Sequence, residues 1–169
     1  MRKIVSNLMT LLSLTMIMAF IMPVISHAQK ANFAGSWTMN ESKSQMPQGG
    51  GGGGGGGMRG GREFTIAQEA NLLTRSSTGQ DGTQRVSKYT LDGKESVNTM
   101  GDNESKSVAT WSEDGKTLTI KTTMEFNGTA RTTTAVWSMP DAKTLSIKTT
   151  SPGRDGGAER VMTMVYDKK

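Results

Sequence analysis

The sequence predicts an all-β domain, an antiparallel up-and-down meander of about ten strands that closes, or nearly closes, into a barrel. Three observations predict it. Turn-forming pairs recur at regular intervals from Gln80 onward, as hairpin tips do. The runs between them are dense in Thr, Val, Ile and aromatic residues, the types that suit a pleated, half-buried surface. No window carries a helical period, whereas several alternate with the two-residue period of a strand. Connections this short cannot hold parallel crossovers, so the sheet is antiparallel. A twisted sheet of about ten strands tends to close on itself or to split.

Residues 1–28 read as a leader. Met1-Arg2-Lys3 is a short basic start, and Ile4 to Ile25 is mostly Leu, Met and Ile. Ser26-His27-Ala28 then places small side chains where a signal peptidase reads, with cleavage expected after Ala28 and a periplasmic or secreted destination. The alternative is a retained anchor helix, since about 20 apolar residues span a bilayer. Pro23 and the small-x-small site weigh against it. The chain has no Cys, which excludes lipid attachment and disulfides alike. Losing Arg2 and Lys3 lowers the formal net charge from +5 to +3, and losing His27 removes the single histidine. No integral membrane span is expected after processing.

The domain then runs from 29 to 169. Phe33, Gly35, Trp37 and Met39 alternate with Ala34, Ser36 and Thr38, which predicts a strand over 33–40 with one buried face. Gly49 to Gly57 is an unbroken glycine run, followed by Met58-Arg59-Gly60-Gly61-Arg62. Such a segment has large backbone entropy and nothing to pack, so 48–61 is expected as a flexible Gly-rich insertion. Arg59 and Arg62 lack the aromatic neighbours of a nucleic-acid-binding segment, and no nucleic-acid partner is expected.

Further strands are expected at 62–69, 71–78, 83–91, 94–100, 104–112, 116–126, 129–139, 143–150 and 158–167. Their tips are Gln80-Asp81-Gly82, Asp92-Gly93, Gly101-Asp102-Asn103, Asp114-Gly115, Asn127-Gly128, Pro140-Asp141, and Pro152-Gly153 with Gly156-Gly157. Leu118, Ile120, Thr122, Met124 and Phe126 fall on one face of their run. The string Lys116-Thr-Leu-Thr-Ile-Lys-Thr-Thr123 returns as Lys143-Thr-Leu-Ser-Ile-Lys-Thr-Thr150, each copy after a Trp-Ser pair. The step of 27 residues is one hairpin, too short for the four strands of a propeller blade. Val136 and Trp137 point to opposite sides of their strand, and the pattern leaves open which is inside.

On these residues the chain resembles the lipocalins and the fatty-acid-binding proteins. Phe33-Ala-Gly35-Ser-Trp37 is similar to their G-x-W first strand, and Met164-Val165-Tyr166-Asp167-Lys168 to the closing strand of the second group. The layout also resembles that of exported bacterial proteins of unassigned role. The resemblance implies a calycin-type, lipocalin-like barrel with an interior able to accept a small ligand. Two departures limit it. Tyr166 matches the tyrosine of the Arg-x-Tyr carboxylate clamp, but Met164 stands where the arginine would be. The interval that holds a helix-turn-helix lid in that family is glycine here.

Chemistry narrows the function. Without His or Cys the processed chain has no Ser-His-Asp triad, no Cys-His dyad and few routes to zinc, so no enzyme and no catalytic residue is expected. Glu113-Asp114 reads as a solvated turn, and Gly101-Asp102-Asn103-Glu104 lacks the spacing of a calcium loop. No cofactor or metal is expected. Lys116, Lys121, Lys143 and Lys148 read as surface residues that deter strand pairing. The few aromatics cannot fill a wide barrel, which leaves Thr and Ser lining part of the interior. The expected function is therefore a monomeric, exported binding protein for a small apolar or amphipathic molecule. Its candidate wall is Trp37, Phe64, Tyr89, Met124, Phe126, Met164 and Tyr166, and the resemblance, in which a last-strand arginine packs on the first-strand tryptophan, implies Arg160 as the cation over Trp37. The alternative is a structural or envelope-interaction β-domain with no ligand pocket.

Overall fold

A computed structural model describes residues 29–45, 61–79, 81–100, 103–126, 128–153 and 157–169, with backbone alone for Met100 and Phe126. The expected leader and all of the Gly-rich insertion except its end at Gly61 lie outside the described residues. Ten strands form: β1 (Gly35–Met39), β2 (Glu63–Gln68), β3 (Leu72–Thr78), β4 (Gln84–Thr90), β5 (Glu95–Met100), β6 (Asn103–Trp111), β7 (Thr117–Phe126), β8 (Thr129–Asp141), β9 (Thr144–Ser151) and β10 (Arg160–Lys168). Among the described residues there is no helix. The sheet order is β4-β3-β2-β1-β10-β9-β8-β7-β6-β5, antiparallel at every pairing. Apart from β4 and β5, which do not pair with each other, each strand pairs with its sequence neighbours, and β1 joins both β2 and β10 to wrap the meander into a nearly closed barrel.

The hairpins form where expected because the tips share one device. Asp81, Asp92, Asp114 and Asp141 each accept, through Oδ1, the backbone N–H two residues on, at 2.8–3.1 Å. Gly82, Gly93 and Gly115 follow the first three of these with positive φ, the region a tight turn needs. The tip expected at Pro140-Asp141 is corrected. Those residues end β8, and the turn falls on Ala142 and Lys143. Pro140 has no N–H to give the ladder, and the register shifts around it, between Ser138 and Asp141.

The barrel's remaining seam lies between β4 and β5. These strands follow one another but share no backbone ladder. Side chains stand in for the missing rungs. The Asn98 carboxamide accepts from Lys88 N–H at 2.7 Å and donates to the Lys88 carbonyl at 2.9 Å. Ser96 Oγ accepts from Thr90 N–H at 2.8 Å. One asparagine thus satisfies both polar groups of a backbone that would otherwise be left without a sheet partner.

One end of the barrel is plugged. The chain before β1 crosses it, where Phe33 is fully buried, stacked on Trp111 at 5.7 Å and edge-on to Trp137 at 5.9 Å. Gln68 locks this crossing from the wall, accepting from Phe33 N–H and donating to the Ala31 carbonyl, both at 2.9 Å. Trp37 donates its indole N–H to the Phe33 carbonyl at 2.9 Å. Phe33 therefore shares the buried face expected of 33–40 but belongs to the plug, since the strand itself begins at Gly35.

Gly35 has φ of 143°, and a Cβ there would lie 2.5 Å from Lys168 Cε. The backbone angle is what calls for glycine, since the lysine tip is movable; that tip sits over the Trp37 ring at 5.4 Å. The expected Arg160 is corrected here. β10 runs antiparallel to β1, so its C-terminal Lys168 pairs with Trp37 while Arg160 sits at the other end.

Two outcomes test this account. Asn98→Ala should speed amide hydrogen exchange at Lys88 and cost about 1 kcal/mol, because the Lys88 backbone groups it releases are exposed to water; exchange in β7–β9 should not change. Acid should also destabilise the fold. Asp92 sits below its ordinary value through the Lys94 ammonium and N–H, Asp114 through the Ser112 hydroxyl and Lys116 N–H, and Asp141 through Lys143 N–H. A depressed folded value means stability present above about 3.8 and lost as pH falls below it. The melting temperature should therefore drop between pH 4 and pH 2.5, and less so in the D92N/D114N/D141N variant.

Candidate ligand site in the barrel interior

Strand pairing sorts the inward side chains into rows. Trp111, Leu118, Trp137, Ile147 and Met164 are successive partners across β6 to β10 near the plugged end. Next comes Ala109, Ile120, Ala135, Thr149 and Met162. Beyond them lies a hydroxyl row, Ser96, Ser107, Thr122 and Thr133, and then Asn98, Ser105, Met124 and Arg131 at the end opposite the plug. The interior thus grades from aromatic and aliphatic to hydroxyl to charged along one axis. Ser107 is 1% exposed, and its hydroxyl is paired with that of Thr122 at 2.9 Å. Ser105 donates to the Asn98 carbonyl at 3.2 Å. These groups have partners, so their burial is not expensive.

A second feature lies on the opposite wall. Arg75 of β3 shares its inward face with the buried Leu73 and Ser77. Its guanidinium lies 4.2 Å over the Phe64 ring, and Phe64 meets Tyr166 edge-on at 4.7 Å. Burial lowers the pKa of Arg75, and the nearby Tyr89 and Tyr166 hydroxyls oppose that shift. Burial also raises that of Tyr166, against the pull of Arg75. The Tyr166 hydroxyl donates to Met164 Sδ at 3.6 Å, a soft and weak acceptor. A cation and a hydroxyl donor therefore converge beside an apolar cluster. That arrangement can hold an oxygen of a ligand whose remainder is apolar.

The structure distributes the expected wall residues among these zones. Phe64 and Tyr166 touch each other and flank Arg75. Trp37 is fully buried beneath Lys168 and packs as core. Tyr89 meets Trp137 edge-on at 6.5 Å, and Met164 receives the Tyr166 hydroxyl. Met124 is half-buried beside Arg131 near the end opposite the plug. The Phe126 side chain lies outside the described residues. Trp137 is the inward member of the Val136-Trp137 pair.

Sequence reasoning missed Arg75, and a signal was present: Leu73-Thr-Arg75-Ser-Ser77 puts the arginine in step with a buried leucine. It also missed Gln68, whose role depends on a backbone that crosses from elsewhere. A separate recess of about 610 Å³ is lined by Ser36, Glu63, Thr65, Ser76 and Thr78 with Lys169. By strand alternation these residues face outward, whereas Trp37, Phe64 and Ser77, which also line the space, carry inward register.

No family model matches this chain, and no curated protein does. Solved structures do match. They include a secretory abundant heat soluble protein from Ramazzottius varieornatus, with TM-score 0.55 and 11% identity over 85% of this chain and 100% of that one. Zebrafish ileal bile acid-binding protein complexed with cholic acid matches with TM-score 0.52 and 16% identity, over 81% and 98%. A point variant of the fluorescent protein UnaG matches with TM-score 0.50 and 16% identity, over 81% and 96%. At these identities the likeness establishes the fold, the calycin-type barrel of the bile-acid- and fatty-acid-binding proteins.

Plug and wall should separate in unfolding experiments. Phe33→Ala deletes a fully buried ring and should cost about 3–5 kcal/mol in denaturant titration. Tyr166→Phe removes only a hydroxyl held by a thioether and should stay within about 1 kcal/mol of the parent.

Proposed function

We propose that this chain is an exported binding protein that holds a small amphipathic molecule inside its barrel. The observation that carries the reading is the convergence of the Arg75 guanidinium and the Tyr166 hydroxyl beside the apolar cluster. A hydroxyl directed at a thioether gains by turning to a ligand oxygen, because the oxygen is the stronger acceptor. The Arg-x-Tyr pair of the resembling family is broken in sequence by Met164, yet an arginine from β3 stands near the same tyrosine. The ligand's apolar part lies against Met164, Ile147 and the aromatic rows. The bile-acid complex among the structural neighbours supports a barrel of this shape as a ligand container. Export rests on the leader read in residues 1–28. Binding rather than catalysis fits a processed chain without His or Cys.

The recess on β1 to β3 favours a second reading, an interaction module that meets a partner through its wall. Filling the recess with T65R/S76R separates the two, because an interior site should keep its ligand afterward while a partner held on the recess is lost.

The test is direct. Decanol, decanoate and cholate titrated into the processed protein should shift tryptophan emission and raise the melting temperature. Arg75→Gln should weaken decanoate by about tenfold, the loss of one charge-assisted hydrogen bond of about 1.4 kcal/mol. Absence of binding by all three ligands overturns the reading.

A further inference from the structure

Cations are sorted by type across the barrel wall. Among the described strands, Arg75, Arg85, Arg131 and Arg160 all carry inward register: Arg75 pairs with Ile66 and Ser87, Arg85 with the buried Ser77, Arg131 with Met124, and Arg160 with Ser151. Lys88, Lys106, Lys121 and Lys148 alternate with inward residues and face out. The inward-register lysine, Lys168, covers Trp37 at the plugged end. Carboxylates go the other way. Glu63, Glu95, Glu104, Glu125 and Asp167 alternate with inward residues, and Asp141 lies past the register shift at the plugged end. Solubility does not require this sorting, since either cation serves on an outer surface.

Three of these arginines lie toward the end opposite the plug. Arg85 is the second residue of β4, Arg131 lies near the start of β8 and Arg160 begins β10, and in this up-and-down meander these strand starts share one end. Met124 is Arg131's partner, and Met162 follows Arg160 on the same face. Arg85 shares an ion pair with Asp81 at 3.9 Å, whereas Arg131 and Arg160 are exposed. Glu104 and Glu125 lie at the same end but face outward, so the strand charges with inward register there are all guanidinium, and cations over low-dielectric walls concentrate counter-ions. Guanidinium is the group suited to this, because its planar fork binds an oxyanion through paired N–H donors, as an ammonium cannot.

We propose that the end of the barrel opposite the plug is an oxyanion port, at which Arg131 and Arg160, with Arg85, hold a phosphate-type group on the outer end of an amphipathic ligand. The ligand's apolar part enters past Met124 and Met162. This inference rests on the reading of the interior as a ligand site only for that apolar part, and the collar itself is testable without it.

Calorimetry on the processed protein decides it, with decyl phosphate, decanol and inorganic pyrophosphate as probes and R131Q/R160Q as the variant. Both positions are exposed, so the variant should fold. Decyl phosphate should bind at least tenfold tighter than decanol, and R131Q/R160Q should bring the ratio near one while leaving decanol unchanged. Raising salt should weaken the phosphate alone. A ratio near one in the parent, or one that survives the double substitution, overturns the port. If no decyl compound binds, the interior reading fails, and pyrophosphate then judges the collar: binding lost in R131Q/R160Q sustains it, and no binding to the parent ends it. Flotation with phosphatidate vesicles separates the sources of the phosphate. Capture by vesicles without binding of monomeric decyl phosphate assigns the port to a lipid surface.

Discussion

Everything inside this barrel is placed by the pairing of a five-residue first strand with the last one. Trp37, Thr38 and Met39 meet Lys168, Asp167 and Tyr166, while the other edge of β1 holds β2. Beyond Met39 the chain keeps the seam closed, with Asn40 N–H on the Val165 carbonyl and a two-way exchange between Gln45 and Thr163. Once the sheet wraps, the two-residue alternation of each strand becomes a choice between inside and outside. A slip of one residue would turn Trp37 to solvent and bring Thr38 in. The Gly35, Trp37 and Lys168 arrangement makes that slip costly, because the indole loses both its burial and its cation.

The interior is graded, and the grading has an energetic logic. Aromatic residues gather at the plugged end, where Phe33 arrives from outside the sheet and needs partners to stack on. Burying apolar area there supplies the main stabilisation, at about 25 cal/mol per Å² removed from water. The hydroxyl row beyond it contributes little to that term, but its members bond to one another and to strand carbonyls, so they cost little either. A guanidinium in the same interior is different. Removing it from water is expensive, and the Phe64 face and the two tyrosines offset part of that cost. A core selected for packing alone has no use for such a group.

The wall is not equally strong all round. Long ladders join β6 to β9, broken once by the register shift between Ser138 and Asp141, and this region carries the repeated Lys-Thr-Leu motif. Between β4 and β5 the connection depends on Asn98 and Ser96, side chains that can rotate away while the strands keep their other partners. Local opening begins where backbone hydrogen bonds are fewest. That seam is the natural place for the barrel to breathe, and Arg85 stands beside it.

Strand number and boundaries were legible in the sequence, because Asp-Gly tips and two-residue alternation are local signals. The expected runs end within two residues of the observed ones, and the tip at Pro140 erred where a proline ended a strand instead of turning it. Tyr166 and Phe64 could be named as inward residues from their types and periods. Their shared neighbour Arg75 could not, since β2, β3 and β10 meet only after the ring closes. Arg160 was expected on Trp37 for the same reason, since the direction in which the last strand returns is a property of the sheet and not of its residues. Composition and spacing therefore determined that this chain makes strands, where they turn and which side chains can share a face. The closed sheet alone decided which face is inside, and so which cations look into the barrel, because that choice is made by pairing between residues far apart in the chain.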